Sequence, residues 1–138
     1  MITIKKQDIV KLEDVLHLYQ AVGWTNYTHQ PQMLEQALSH SLAIYVALDS
    51  DTVVGLVRLV GDGFSSIFVQ DLIVLPIYQR KGIGRALMKE ALEDYKDVYQ
   101  VQLVTEQTEK TLVFYRSMGF EILSTYNCIG MTWVNREK

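Results

Sequence analysis

A loop rich in glycine and cationic residues is the part of this sequence best suited to do chemistry. It reads Gln79-Arg80-Lys81-Gly82-Ile83-Gly84-Arg85, between an apolar segment and a stretch with helical spacing. Glycines let the backbone approach a ligand closely, and the first amides of a helix point outward with positive potential. The cationic side chains add to that potential. The loop therefore predicts a binding site for a phosphate-bearing ligand such as a pyrophosphate.

Asp71 is the second candidate, because it is the one charged residue of the apolar strand predicted over Ile67–Leu75. A carboxylate buried there must reach a partner, water or a cavity. It would serve as a general base that takes the proton of an amine. A structural role, in which it caps backbone N–H groups, is equally open.

Trp24 and Tyr27 form the third candidate, in an aromatic and polar stretch that has neither helical nor strand periodicity. Aromatic rings at such a position would flank an apolar or cationic ligand. The alternative is an exposed loop whose aromatic residues have no role in binding. His29 follows in the same stretch and is interpreted as a surface histidine.

The elements that must position these residues follow from periodicity and from turn residues. We predict the order β-α-α-β-β-β-α-β-α-β-β, a single α/β domain over residues 1–138 with a mixed, mostly antiparallel sheet flanked by helices. The first helix is expected to have Asp8 as its N-cap and to end at Gly23, and the second to begin at Pro31. The predicted strands are 2–5, 42–48, 52–60, 67–75, 99–103, 120–123 and 126–134, and the later helices begin near 83 and 109.

The composition restricts the class of protein. The chain has 138 residues and a formal net charge of −3, which argues against a nucleic-acid or membrane-surface protein. It contains one cysteine, Cys128, so we expect neither an internal disulfide nor a metal site. No apolar run has the length of a membrane span, and the polar N-terminal residues are unlike a signal peptide. We therefore expect a cytoplasmic protein.

Two motifs make the chain resemble the GNAT (GCN5-related) N-acetyltransferase superfamily. Gln79-x-x-Gly82-x-Gly84, after the apolar strand that ends in Leu75-Pro76, is similar to the acetyl-CoA signature of that family. The block Phe114-Tyr-Arg-Ser-Met-Gly-Phe120 is similar to its later FYxxxGF segment. A Rossmann dinucleotide site would need a third glycine at position 87, which is leucine, and a loop after the first strand.

The resemblance implies an acetyl-CoA-dependent N-acetyltransferase with the GNAT fold. Acetyl would pass directly from acetyl-CoA to a primary amine of a small molecule, peptide or protein, and a non-catalytic acyl-CoA sensor is the alternative. Tyr115 matches the tyrosine that protonates the CoA thiolate, and Thr108 stands where the family often has a cofactor-binding asparagine. A homodimer remains open. The residues expected to contact the cofactor are Leu72, Ile73, Val74, Gln79, Arg80, Lys81, Gly82, Ile83, Gly84, Arg85, Thr108, Phe114 and Tyr115.

The acceptor is expected beside Trp24, Tyr27, Arg58 and Asp71. If the turn Gly61-Asp62-Gly63 sets Val60 opposite Ser65, then Arg58 faces Ile67 and Val54 faces Asp71. Arg58 and Asp71 would then share a face of the sheet and hold the carboxylate and the amine of an amino-acid-like acceptor. The alternatives are that Arg58 extends to the sheet edge, or that a register slip or bulge separates the two residues.

Overall fold

The computed structural model describes residues 1–134, in two compact units. The first unit is Met1–Val104, and the second begins at Thr105. The expectation of a single domain over residues 1–138 stays a prediction.

The first unit is built on a five-stranded mixed sheet in the order β1-β2-β3-β4-β5. The first four strands pair antiparallel in sequence order, and β5 pairs parallel with β4. This confirms the predicted α/β fold with a mixed, mostly antiparallel sheet. The strands are β1 (Ile2–Gln7), β2 (Ala43–Asp49), β3 (Thr52–Gly61), β4 (Ser66–Val74) and β5 (Gln100–Leu103).

Helices cover both faces of this sheet. The first three are α1 (Leu12–Ala21), α2 (Thr25–Thr28) and α3 (Pro31–Ser39), and they enclose a core with one face of β2, β3 and β4. The helix α4 (Ile83–Asp94) packs on the opposite face, where the Leu87 side chain lies over Gly55. Alternation of side chains along each strand separates the two cores.

Two bulges set the register of the central strands. The β2–β3 register shifts at Ala47/Leu48, and the β3–β4 register shifts between Arg58 and Leu59. In the second bulge Arg58 pairs with Asp71 and Leu59 with Val69, so Gln70 is the additional residue of β4.

The predicted register of the β3–β4 hairpin is therefore wrong. Gly61, rather than Arg58, lies opposite Ile67, and Asp71 pairs with Arg58 rather than with Val54. Arg58 and Asp71 do share a face, because the bulge at Gln70 reverses the alternation that follows it. Ile67 and Val69 precede the bulge and project to the other face.

Several predicted boundaries also change. The first helix begins after Lys11 instead of Asp8, and the short α2 was not predicted. Pro31 does begin α3, and Gly23, with φ 72°, follows the end of α1 as expected. No helix of the described residues has the length and apolarity to cross a membrane.

The second unit contains α5 (Glu109–Ser117) and a 3₁₀ helix at Leu123–Tyr126. The closing hairpin predicted from Phe120–Leu123 and Tyr126–Val134 is wrong for the described residues. Local turns replace it: the amide of Cys128 bonds to the carbonyl of Leu123, and Asn127 adopts a left-handed conformation with φ 61°. Alternating apolar residues favour a strand, but they do not supply the partner that a ladder requires.

Candidate active site

The glycine loop forms a tight turn with left-handed residues at the start of α4. Arg80 and Gly82 have positive φ angles of 64° and 81°, which curl the backbone amides into a concave arrangement. The first bond of the helix runs from the Ala86 amide to the Gly82 carbonyl, so the amides of Ile83 and Gly84 have no acceptor within the helix. No side chain caps this end, and its first turn has no acidic residue.

Cationic side chains surround these amides. The exposed side chains of Arg80, Lys81 and Arg85 lie on and beside the turn. The Lys81 ammonium lies 5.4 Å from the centroid of the Tyr78 ring, whose hydroxyl donates to Asp49. The predicted phosphate site thus has its amides, its helix terminus and its positive charge in one place.

The end of β4 supplies a second set of backbone groups. The Leu75 amide bonds to the Val54 carbonyl, so the alternate residues Leu72 and Val74 direct their N–H and C=O groups away from β3. On that side β5 ends at Leu103, opposite Val69. The Gln79 side-chain amide donates to the Val74 carbonyl at 3.0 Å, which ties the loop to this strand end.

Ile73 differs from its two neighbours. Its backbone faces β3 in the ladder, and its side chain is buried in the core beneath α1 and α3. Of the three β4 residues predicted to contact the cofactor, Leu72 and Val74 therefore have backbone N–H and C=O groups that face away from β3.

Asp71 lies in a buried polar cluster beneath α1 and α2. Its carboxylate accepts bonds from the Tyr19 hydroxyl at 2.8 Å, the Arg58 Nε at 2.7 Å and the Tyr27 hydroxyl at 3.0 Å. Asp71 is 2% exposed. The three donors, one of them the ion-paired guanidinium of Arg58, balance the cost of burying its charge.

Arg58 makes one hydrogen bond from each of its three guanidinium nitrogens in the same cluster. Its Nε pairs with Asp71, its Nη1 donates to Ser41 at 3.2 Å, and its Nη2 donates to the Tyr27 hydroxyl at 3.2 Å. Arg58 is 4% exposed. The two residues that were predicted to hold opposite ends of a ligand therefore hold each other.

Trp24 and Tyr27 form an aromatic wall with Tyr19, next to this cluster. The Tyr19 and Tyr27 rings meet edge to face with centroids 5.1 Å apart, and the Trp24 and Tyr27 centroids are 6.2 Å apart. Trp24 and Tyr27 are half-buried, and both pack against the core. Burial and the neighbouring Asp71 raise the pKa of the Tyr27 phenol above its ordinary value, so it stays protonated at neutral pH.

Tyr115 lies on α5, in the second unit. Its ring packs edge to face on Phe114 and Phe120, with centroids 4.9 and 5.8 Å away. Burial raises its pKa, and a hydrogen bond with Thr105 opposes that shift. Its phenol therefore holds its proton at neutral pH, as a general acid must.

Thr108 caps α5. Its hydroxyl accepts a hydrogen bond from the Thr111 amide at 3.2 Å, which satisfies one of the free amides at the helix start. The cap accounts for a threonine at this position independently of any cofactor contact.

The sequence analysis missed Tyr19, Ser41 and Gln70 as members of the Asp71 cluster and its rim. The Tyr19 ring lies on the core-facing side of α1 and is fully buried. Its hydroxyl was the available signal, because a tyrosine on a core-facing stripe must find a polar partner when it is buried. Among the described residues there is no group of His, Cys, Asp and Glu side chains able to hold a metal ion.

Comparison with known proteins identifies the family. Residues 40–122 match the model of the acetyltransferase (GNAT) domain. A GNAT-family acetyltransferase from Streptococcus pneumoniae TIGR4 is 77% identical, with a TM-score of 0.91 and 99% of each chain covered. The PaiA N-acetyltransferase of Thermoplasma acidophilum, solved in complex with coenzyme A, shares the fold at 20% identity, with a TM-score of 0.68 over 87% of this chain and 91% of that one.

Curated sequences agree with these structures. GCN5-related N-acetyltransferase 1 of Arabidopsis thaliana chloroplasts is 27% identical over 133 residues, which are 94% of this chain and 65% of the relative. The chain spans just under two thirds of the length of the first curated relatives that it matches. By the family model and by its fold, the chain belongs to the GNAT acetyltransferases.

Proposed function

We propose that the chain transfers an acetyl group from acetyl-CoA directly to the primary amine of a small molecule, or to a peptide or protein amine. The observation that carries this proposal is the uncapped start of α4, where free amides, left-handed turns and cationic side chains come together. Such a site suits the pyrophosphate of CoA. Family membership supports the same donor.

Backbone groups at the end of β4 would hold the remainder of the donor. Leu72 and Val74 direct polar groups to the side on which β5 has ended, as a pantetheine arm requires. Amides aimed at the thioester carbonyl would also stabilise the charge that develops on its oxygen. The bulge at Gln70 is a feature that often marks functional sites in sheets.

Tyr115 would act as the general acid. When the amine nitrogen attacks the acetyl carbonyl, the carbon–sulfur bond breaks and the sulfur leaves as a thiolate. The protonated phenol of Tyr115 would transfer its proton to that sulfur, and the proton that the amine nitrogen loses on forming the amide would pass to solvent water, from which the phenolate is reprotonated. No covalent enzyme intermediate is needed.

Gly84→Asp tests the donor site, because it places bulk and negative charge where the phosphate must approach. We expect at least a tenfold loss of CoA affinity in isothermal titration, the consequence of losing about 1.4 kcal/mol of binding energy. Gly130→Asp, at an exposed glycine with no atom near its Cβ position, is the control with the same change of charge. Unchanged affinity in a folded Gly84→Asp protein would refute the assignment of the loop.

A non-catalytic acyl-CoA sensor is the rival function. Release of CoA from acetyl-CoA, measured against a panel of primary alkyl and arylalkyl amines, separates the two. An enzyme releases CoA in proportion to the acetylated amine, whereas a sensor binds the donor and releases none.

A further inference from the structure

We propose that Tyr27 orients the acceptor amine, and that Asp71 is a positioning residue that acts through Tyr27 rather than the base that takes the amine's proton. The inference rests on the proposed acetyl transfer to an amine. The residues concerned belong to the Asp71 cluster, in which Asp71 pairs with Arg58 rather than with Val54.

The Tyr27 oxygen makes two well-formed hydrogen bonds within the protein. A phenol has one proton to donate and two lone pairs to accept with. The Arg58 guanidinium can only donate, so its bond of 3.2 Å uses a lone pair of the Tyr27 oxygen. The ionised Asp71 can only accept, so its bond of 3.0 Å uses the proton.

One lone pair of the Tyr27 oxygen is left. Its nearest partner is the side-chain amide of Gln70, at 3.5 Å, which is the outer limit of a hydrogen bond. Gln70 is exposed, and Tyr27 is half-buried, so an arriving ligand can replace this weak contact. The remaining lone pair of the Tyr27 oxygen can thus accept a hydrogen bond, which suits an N–H donor such as an amine or ammonium.

Burial keeps Asp71 from direct contact with the amine. Two donors fill its Oδ2 and Tyr27 donates to its Oδ1, and because the residue is only 2% exposed, the second lone pair of Oδ1 is shielded from a ligand. Asp71 instead fixes the direction of the Tyr27 proton and so leaves the remaining lone pair for the substrate.

The cluster also indicates the class of acceptor. Each nitrogen of Arg58 makes one bond within the protein and the residue is only 4% exposed, so a substrate carboxylate would not reach the guanidinium. The rings of Trp24 and Tyr27 provide apolar and cation-binding surface beside the open lone pair. We therefore expect primary amines without a carboxylate to be accepted at least as well as amino acids.

Tyr27→Phe and Asp71→Asn, singly and together, test both assignments. In Tyr27→Phe we expect the KM for the amine to rise about tenfold, the size expected for one hydrogen bond to a charged group. The kcat and the acetyl-CoA affinity should stay near wild type. Asp71→Asn should raise the amine KM in the wild-type background and add little in the Tyr27→Phe background, because it acts through Tyr27.

Tyr45→Phe is the matched control. Tyr45 is also buried and donates to an aspartate, Asp94, at 2.6 Å, but it projects to the opposite face of the sheet. Thermal unfolding of all variants shows which effects come from lost stability. We expect Tyr45→Phe to lose stability without a change in amine KM.

Three outcomes would overturn the inference. The first is an unchanged amine KM in Tyr27→Phe. The second is an Asp71→Asn protein whose kcat falls about a hundredfold and whose pH–rate profile loses its acidic limb, since those are signs of a base. The third is independent effects of Tyr27→Phe and Asp71→Asn on KM in the double variant.

Binding separates failure of the inference from failure of the proposed function. Ligand-observed NMR with the amine panel on the protein–CoA complex gives affinities without turnover. Amines that bind without CoA release, and bind more weakly to Tyr27→Phe, would overturn acetyl transfer and retain the assignment of Tyr27. Amines that bind wild type and Tyr27→Phe equally would overturn the assignment, and an absence of any binding to wild type would overturn both.

Discussion

The proposed donor site, the loop 79–85, and the proposed acceptor site, the Asp71 cluster, are built in opposite ways. The donor loop is a run of consecutive residues, 79–85, whose helix start and charges are all local. In the acceptor cluster, Tyr27 and Asp71 are 44 positions apart, Arg58 and Tyr27 are 31 apart, and Arg58 and Asp71 are 13 apart. Only the pairing of strands and the packing of helices bring those three residues together.

A site assembled from separate strands and helices, such as the Asp71 cluster, depends on strand register. A one-residue change in a strand moves every following side chain to the other face. The bulge at Gln70 is such a change, and it sets Asp71 opposite Arg58. The donor loop has no comparable dependence on the β3–β4 register, so the two sides should respond differently to mutation.

The largest expected effect is on stability, from Arg58→Met. The change leaves the Asp71 carboxylate buried without its cation, which costs about 3–5 kcal/mol for a buried pair. We expect urea unfolding at pH 7 to show a loss of that size. The CoA affinity of the folded fraction should be unchanged, because the donor loop is built from its own residues.

Two further variants make this a test of burial. Arg116→Met breaks the ion pair with Glu121, whose partners are 52% and 45% exposed, and should cost less than about 1 kcal/mol. Combining Arg58→Met with Asp71→Leu removes both buried charges and should restore most of the stability. A loss in Arg58→Met no greater than in Arg116→Met would contradict the buried cluster.

The next largest expected effect is a loss of kcat in Tyr115→Phe. This change keeps the ring that packs on Phe114 and Phe120 but removes the proton offered to the thiolate. Loss of a general acid costs about a hundredfold or more in kcat. The measurement is single-turnover CoA release, which isolates chemistry from product dissociation.

Tyr126→Phe is the control for this experiment, since it removes an exposed phenol from the same unit. Its rate should equal that of wild type. If Tyr115→Phe also kept its full rate, with chemistry limiting, Tyr115 would be a packing residue of α5 and the leaving thiolate would need another proton source.

Local signals predicted most of the first unit's fold. Pro31 and Gly82 mark helix starts, Gly23 marks a helix end, and the apolar spacing of Ile83, Leu87, Met88 and Ala91 gives the buried face of α4. The short helix α2 has neither a cap signal nor a period, so nothing local predicted it. The predicted closing hairpin is wrong because a strand needs a pairing partner, and alternation of apolar and polar residues does not identify one.

In the candidate site too, local features were predicted from the sequence, whereas contacts between distant residues were predicted only in part. The glycine loop was predicted as a unit because its chemistry lies in consecutive residues. Asp71 was identified as a charge in need of a partner, and the partners were identified only in part, since Arg58 was assigned to the right face from the wrong register. The hydroxyls of Tyr19 and Ser41 could not be assigned to the cluster without knowing how α1 and α3 approach the sheet.

Asp62 offers a contrast to Asp71, as a carboxylate whose partners are all local. It lies in the β3–β4 turn, directly after β3 ends at Gly61. It accepts bonds from the amides of Phe64, Ser65 and Ser66 at 2.8, 2.8 and 3.1 Å and from the Ser65 hydroxyl at 2.6 Å. These donors, with the Ser65 hydroxyl first, hold the pKa of Asp62 well below its ordinary range.

The smallest predicted effect follows from that pKa, in Asp62→Asn. A carboxyl whose pKa is lower in the folded state than in the unfolded chain stabilises the fold fully above the unfolded value, about 3.9. That stability is lost as the pH falls toward the folded pKa. Asparagine keeps an acceptor oxygen for the amides but has no such titration, so the difference in urea midpoint between wild type and Asp62→Asn should be measurable at pH 7 and narrower at pH 3. All other carboxyl groups titrate in both proteins and cancel in that difference. A difference of equal size at both pH values would show that the Asp62 charge adds nothing to the turn beyond its hydrogen bonds. The carboxylate of Asp62, whose partners are local, and the ion-paired carboxylate of Asp71 would then stabilise the fold by different kinds of interaction.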